Sequence, residues 1–163
     1  MNSFKPNIAS RLSFRWSASL PGRLTRVLLL AATLAAARQC GPGKIHVIFQ
    51  PHRYTRTQDL LDEFATAFEH ADSLFVLDIY AASEPPIEGV SGEILVQHIA
   101  EQGNPSARYV GSFGEAVDAA AAVAHPGDLI LTLGAGSVSQ IAPLLLEELR
   151  SKIVSSSAAT SKA

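Results

Sequence analysis

Three apolar runs constrain this chain more than anything else in it. Lys44–Phe49 (KIHVIF), Ser73–Ile79 (SLFVLDI) and Asp128–Leu133 (DLILTL) are short and apolar at successive positions. A strand of that kind is buried on both faces, as in a parallel sheet covered by helices. Helical spacing fills the gaps between the runs. Leu60, Leu61, Phe64, Ala67 and Phe68 share one face of a helix over Thr57–His70. Ile94, Leu95, His98 and Ile99 do so over Ser91–Glu101, with Ser91 as its cap. Arg108–Val110 reads as a short strand. Gly114–Ala124 is an Ala-rich helix ended by His125-Pro126-Gly127, and Ser137–Arg150 is the last helix. This alternation specifies an α/β, Rossmann-like fold: a mostly parallel sheet, right-handed crossovers and helices on both faces.

The two ends differ from this middle. Met1–Gly22 is basic, Ser-rich and free of acids, and we read it as an atypical, poorly ordered segment. Residues 23–152 form the α/β domain, and 153–163 a frayed Ser/Ala tail. Arg23–Ala37 has two readings: a secretory signal, with arginines, an apolar stretch and small residues at Ala35–Ala37, or a buried helix of the domain.

Composition removes several function classes. Only 17% of residues are charged against 47% hydrophobic, so the bulk is not disordered. A single cysteine, Cys40, excludes a disulfide framework and a multi-cysteine zinc site. An aromatic content of 7% and a net charge of −2 argue against a nucleic-acid surface. No apolar run is long enough to span a bilayer. The charge is unevenly placed: residues 1–58 carry nine Lys/Arg and no acid. An anion site therefore belongs in the first third.

Ligands of parallel sheets bind at the carboxyl ends of the strands. The first strand ends in Phe49-Gln-Pro-His-Arg-Tyr-Thr-Arg-Thr57. Arg53 and Arg56, three apart, can lie on one side of a turn or a first helical turn. Their guanidiniums then offer forked donors to a carboxylate or phosphate, beside His52 and Tyr54. A solvated basic loop is the plainer alternative. The second strand leads into Asp78-Ile-Tyr-Ala-Ala-Ser-Glu84, where Asp78 and Glu84 can orient the arginines, bind a ribose, sit near a metal or form structural ion pairs. Gly134-Ala-Gly136 follows the third strand. It lacks the lysine of a Walker loop, so a tight packing turn is its expected role. The five histidines form no metal cluster in sequence, and no G-x-S-x-G elbow is present.

Three segments together resemble one family. Phe49–Thr57 is similar to a signature of the C-terminal domain of the Mur ligases, in the branch that adds L-alanine to UDP-N-acetylmuramate. Asp78-Ile-Tyr-Ala-Ala-Ser-Glu-Pro-Pro-Ile87 is similar to the next, normally with Gly where this chain has Ser83. Gly127-Asp-Leu-Ile-Leu-Thr-Leu-Gly-Ala-Gly136 is similar to the last. Order and spacing agree from about Thr33 to Arg150.

The resemblance implies a cytoplasmic, ATP-dependent ligase of peptidoglycan synthesis with three domains. The first two hold the UDP-sugar, the P-loop, ATP and Mg²⁺. The third admits the amino acid and closes over the site. It implies that Arg53 and Arg56, with His52 and Tyr54, bind substrate near the nascent alanine carboxylate, with Asp78 and Glu84 behind them. The chain departs from the family in two ways: it has no Walker motif, and Met1–Leu30 does not fit the family's first strand, which ends in Asp-Asp-Tyr-Gly-His-His-Pro. That first strand is therefore expected to be missing and the chain inactive alone, with no catalytic residue, metal or cofactor of its own. Its partners would be the other ligase domains, not nucleic acid or membrane. The alternative is a non-catalytic module that binds a muramyl-peptide carboxylate or a nucleotide. The family demotes the secretory reading of Arg23–Ala37.

Overall fold

The strand β1, Ile45–Gln50, is buried at every residue and lies inside the sheet. The computed structural model describes residues 24–102, 106–134 and 136–160. The expected poorly ordered segment 1–22 lies outside these residues, as does the end of the tail, 161–163. On one side β1 pairs in parallel with β2, Ser73–Val76, and on the other with β4, Leu129–Gly134. The short strand β3, Ala107–Tyr109, adds to β2, also in parallel. The four strands run in the order β3-β2-β1-β4. The expected parallel α/β fold is thus the observed one.

Alternation along the strands divides the core in two. Ile45, Val47 and Phe49 enter one apolar cluster with Leu74 and Val76 of β2, while Ile48 and Phe75 enter the other. The first cluster is covered by α1, Leu24–Gln39, by α3, Leu61–Ala67, and by α4, Gly92–Glu101, through Leu34, Phe64 and Leu95. The second is covered by α5, Phe113–Val123, and α6, Ile141–Thr160, through Ala116, Ala120, Ile141 and Leu145. The chain steps from β1 to β2 to β3 across one face and returns from β3 to β4 across the other. Reversing direction while keeping the right-handed crossover requires that change of face.

Several elements differ from the sequence reading in their bounds. The helix expected over Thr57–His70 is two, α2 at Tyr54–Asp59 and α3, broken at Leu60 (φ −124°, ψ 23°), whose side chain is buried. The second strand stops at Val76 instead of Ile79. Beyond it lies Pro51 on the neighbouring segment, which has no N–H to donate. Pairing resumes only as the isolated bridge His52–Tyr80. The last helix begins as a 3₁₀ turn, Gly136–Gln140, before α6, and continues beyond Arg150 to Thr160. Pro143 lies in the first turn of α6, where its missing N–H costs nothing but cannot serve a helix extending backwards.

Of the two readings of Arg23–Ala37, the described residues 24–37 lie in a packing helix: Leu34 is fully buried. Arg38, just after them, binds the carboxylate of Asp72 and donates to His70 O (2.7 Å). No helix among the described residues is long and apolar enough to cross a membrane.

Two carboxylates fasten the amino end of the sheet. Asp72 also accepts from Ile45 N (2.7 Å). Burial pushes its carboxyl up, but the Arg38 guanidinium and the Ile45 N–H outweigh this and hold it below its ordinary value. Asp128 joins the starts of β1 and β4. It accepts from His125 N (2.8 Å), Lys44 N (2.8 Å) and the His46 ring (3.1 Å). These bonds, the His125 N–H foremost, bring its pKa down to about 2.

Two predictions follow from the loops. A folded-state pKa of about 2 lies below the ordinary 3.8, so Asp128 stabilises the fold fully above pH ~4. That contribution is lost as pH falls from ~4 to ~2. Urea midpoints measured across this window will decline less steeply in Asp128→Asn than in the parent. Ser83, at φ 71°, sits where an L side chain is strained. Ser83→Gly will stabilise the fold by roughly 1 kcal/mol, measured by urea unfolding.

Candidate functional site

The arginine loop stands at the carboxyl end of β1, where the chain order reverses between β1 and β4, the place where open parallel sheets bind ligands. Pro51 ends the ladder and the backbone turns at Arg53, which takes φ 74° and ψ 137°. A non-glycine residue there costs on the order of 1–3 kcal/mol. Three hydrogen bonds hold it. Arg53 N donates to Tyr80 O (2.9 Å), and its carbonyl accepts from Thr57 N (3.1 Å) and Thr57 Oγ1 (2.9 Å). Thr57 is buried for that purpose.

The two arginines diverge. Arg53 is exposed and pairs at 3.6 Å with Glu84, which also accepts from Thr55 N (3.1 Å) and Thr55 Oγ1 (2.9 Å). Burial acts to raise the Glu84 carboxyl, but the Thr55 donors and the Arg53 charge prevail and keep it below its ordinary value. Glu84 thus ties the first turn of α2 to the loop after β2. Arg56, half-buried, donates to His52 Nδ1 (3.0 Å). A nitrogen that accepts from a guanidinium carries no proton, so His52 is held as its Nε2–H tautomer. The His52 ring stacks on Tyr80, 5.6 Å between centroids and 15° between planes.

Of the sequence candidates, His52, Arg53, Arg56 and Glu84 gather at this end, and Tyr54 opens α2 beside them. Asp78 does something else. It accepts from Tyr109 of β3 at 2.6 Å, and this bond pushes the Tyr109 phenol up to about 12. Sequence reasoning missed Thr55, Thr57, Tyr80 and Gln50. Thr55 and Thr57 lie in the segment Phe49–Thr57, where nothing local marks their partners. Gln50 is nine-tenths buried, and no group hydrogen-bonds its Oε1. Among the described residues, no three His, Cys, Asp or Glu side chains are placed to hold a metal ion.

Gly134, the last residue of β4, has a packing reason to be glycine. It lies opposite Gln50 in the β1–β4 register at φ 142°, and a Cβ there would come within 2.5 Å of Gln50 O. The glycine lets two strand ends converge; it is a packing residue. Between β1, β4, α1 and α2 lies a cavity of about 260 Å³, with Phe49, Leu60, Phe64 and Leu133 in its wall and Thr33, Gln50, His52 and Arg56 as its polar members.

A parallel α/β sheet with two arginines in the loop at its switch point defines a domain of the Rossmann-like class. Residues 29–136 match the family described as Mur ligase, glutamate ligase domain, and the chain belongs to that family. It is 59% identical over 125 residues to a UDP-N-acetylmuramate–L-alanine ligase of Koribacter versatilis, covering 77% of this chain and 27% of the relative. It is 59% identical over 124 residues to the protein of the same name from Acidobacterium capsulatum, with 76% and 26% covered. The chain thus spans about a quarter of the length of these relatives. In fold it is similar, at a TM-score of 0.54 and 23% identity, to a solved domain assigned to a UDP-N-acetylmuramate:L-alanyl-γ-D-glutamyl-meso-diaminopimelate ligase of Haemophilus ducreyi. That match covers 76% of this chain and 83% of the other.

Gly134→Ala will destabilise the fold by about 2 kcal/mol or more, because the new methyl meets backbone and the φ is unsuited to alanine. Denaturant unfolding measures it, and Gly114→Ala, with open space around it, serves as the control.

Proposed function

We propose that this chain is the amino-acid-side, C-terminal domain of a cytoplasmic, ATP-dependent ligase that joins L-alanine to UDP-N-acetylmuramate in peptidoglycan synthesis. The observation that carries the reading is the arginine loop: Arg53 and Arg56 stand at the strand end where such a sheet binds its ligand, in a chain 59% identical to ligases of that name. The reaction requires phosphorylation of the muramate carboxylate by ATP with Mg²⁺. The alanine amine then attacks the acyl phosphate, forming the amide and releasing phosphate. The residues of this chain are suited to one part of that task. Arg56, steered by His52, and Arg53, steered by Glu84, hold the carboxylate of the incoming alanine and stabilise negative charge near the reacting centre. Tyr54 and Asp78 border this work without a contact that assigns them a step.

On this reading the domain is inactive by itself. The sequence holds no Walker lysine loop, and phosphoryl transfer needs one or its equivalent. Phosphate release from ATP with alanine and the UDP-sugar should stay at background. Calorimetry with the UDP-muramyl-alanine product should show binding, weakened roughly tenfold or more by Arg56→Ala. Turnover by the purified chain would refute the inactive-domain reading. Product binding indifferent to both Arg53→Ala and Arg56→Ala would refute the carboxylate role.

A further inference from the structure

The strand β4 ends the sheet, and among the described residues no strand pairs with its outer edge. Each of Leu129–Leu133 is only half-buried, whereas every residue of β1 is buried. An open edge is usually guarded by charge, proline or a bulge. Leu129–Gly134 carries no charge and no proline, and its register with β1 runs unbroken over the whole strand. Beside it, Leu29 of α1 is 61% exposed, and Leu28 is exposed as well. These features suit an edge that a further strand covers.

Topology says which strand belongs there. Helix α1 packs on the same face of the sheet as α3 and α4, since Leu34, Phe64 and Leu95 share one apolar cluster. On that face the chain steps from β1 to β2 to β3. A right-handed crossover through α1 must step in the same direction. A strand that precedes α1 therefore lies on the β4 side of β1, and the free place on that side is the outer edge of β4. The residues before α1 carry the matching pattern. Leu12-Ser-Phe-Arg-Trp-Ser-Ala-Ser-Leu20 alternates apolar with polar at every step. That is the period of a strand covered on one face. Composition marks Met1–Gly22 as poorly ordered; the alternation is a separate signal within it. Residues 21–23, beginning Pro21-Gly22, then make a connection of ordinary length before α1 at Leu24. We propose that residues 12–20, which lie outside the described residues, add to β4 in parallel as a fifth strand, with the apolar side facing α1 and covering Leu29, Leu131 and Leu133. This placement does not depend on the role proposed for the arginines.

The test uses the unaltered chain, isotope-labelled and followed by NMR. Leu129 N donates to Lys44 O on the β1 side (2.8 Å), so the N–H groups of Ile130 and Thr132 point the other way, to the free edge. Cross-peaks between amide protons should join these two residues to residues within 12–20. Their exchange with solvent should be slower than that of an unpaired amide by roughly tenfold or more. Trp16 is the chain's one tryptophan, so the fluorescence reports on it alone: the emission should be blue-shifted and move to the red in urea. Trp16→Ser changes no residue of the four described strands. It should speed exchange at Ile130 and Thr132 by roughly tenfold or more, while the Ile48 amide inside the sheet stays protected. Rapid exchange at Ile130 and Thr132 in the unaltered chain would overturn the fifth strand. So would cross-peaks from residues 12–20 to another element, or protection that Trp16→Ser leaves intact. Protection that appears only as protein concentration rises would show β4 pairing with β4 of a second copy and would overturn it too.

Discussion

Pro51 has no N–H to offer the sheet, so the ladder of β1 cannot run past Gln50 on the β2 side. The neighbouring chain loses its strand character at Val76 and rejoins only at the His52–Tyr80 bridge. The residues between are free to turn, and Arg53 turns through a backbone conformation that few side chains tolerate. The loop, the first turn of α2 and the segment from Tyr80 to Glu84 are then sewn together by hydrogen bonds to one another. On the β4 side the register persists one pair further, to Gln50 and Gly134. The opening of β1 from β2 and its close approach to β4 place the arginines and the cavity at one end of the same strand.

The electrostatics of that end are arranged in two separate couples rather than one fork. Glu84 neutralises Arg53 in the open, where screening makes the pair weak as a source of stability. Its value lies in direction: the same carboxylate fixes the Thr55 N–H, so the guanidinium and the start of α2 share one anchor. Arg56 donates to an imidazole nitrogen of His52. That imidazole nitrogen fixes the direction of the guanidinium.

The sheet was legible because β1 and nearly all of β2 are buried on both sides, which is written as uninterrupted apolar runs; β4 carries the same kind of run although it is only half-buried. The order of segments and the arginine loop could likewise be read directly, and the family resemblance rested on the same residues. Boundaries were less legible. The break at Leu60 arises because its side chain is needed in the core while its backbone leaves helical geometry, and no local residue announces it. The partner of Asp78 was invisible because Tyr109 is brought to it only by the pairing of β2 with β3. Gln50 reads in sequence only as part of the segment after the first strand, whereas it is the last residue of β1. Its burial comes from the close approach of β4, where Gly134 lies opposite it, and no pattern along the chain encodes that.

Arg53 shows what such a loop implies for the history of its own position. Its dihedral angles suit glycine, so every step of random substitution toward a more comfortable backbone there discards a guanidinium. If Arg53 has the carboxylate role proposed for it, local folding preference and ligand chemistry pull this one site in opposite directions. A library selected only for expression and thermal endurance would drift to glycine at position 53, whereas one selected for capture of an anion would hold arginine. The identity of that single residue therefore reports which pressure a given copy of the domain has been under.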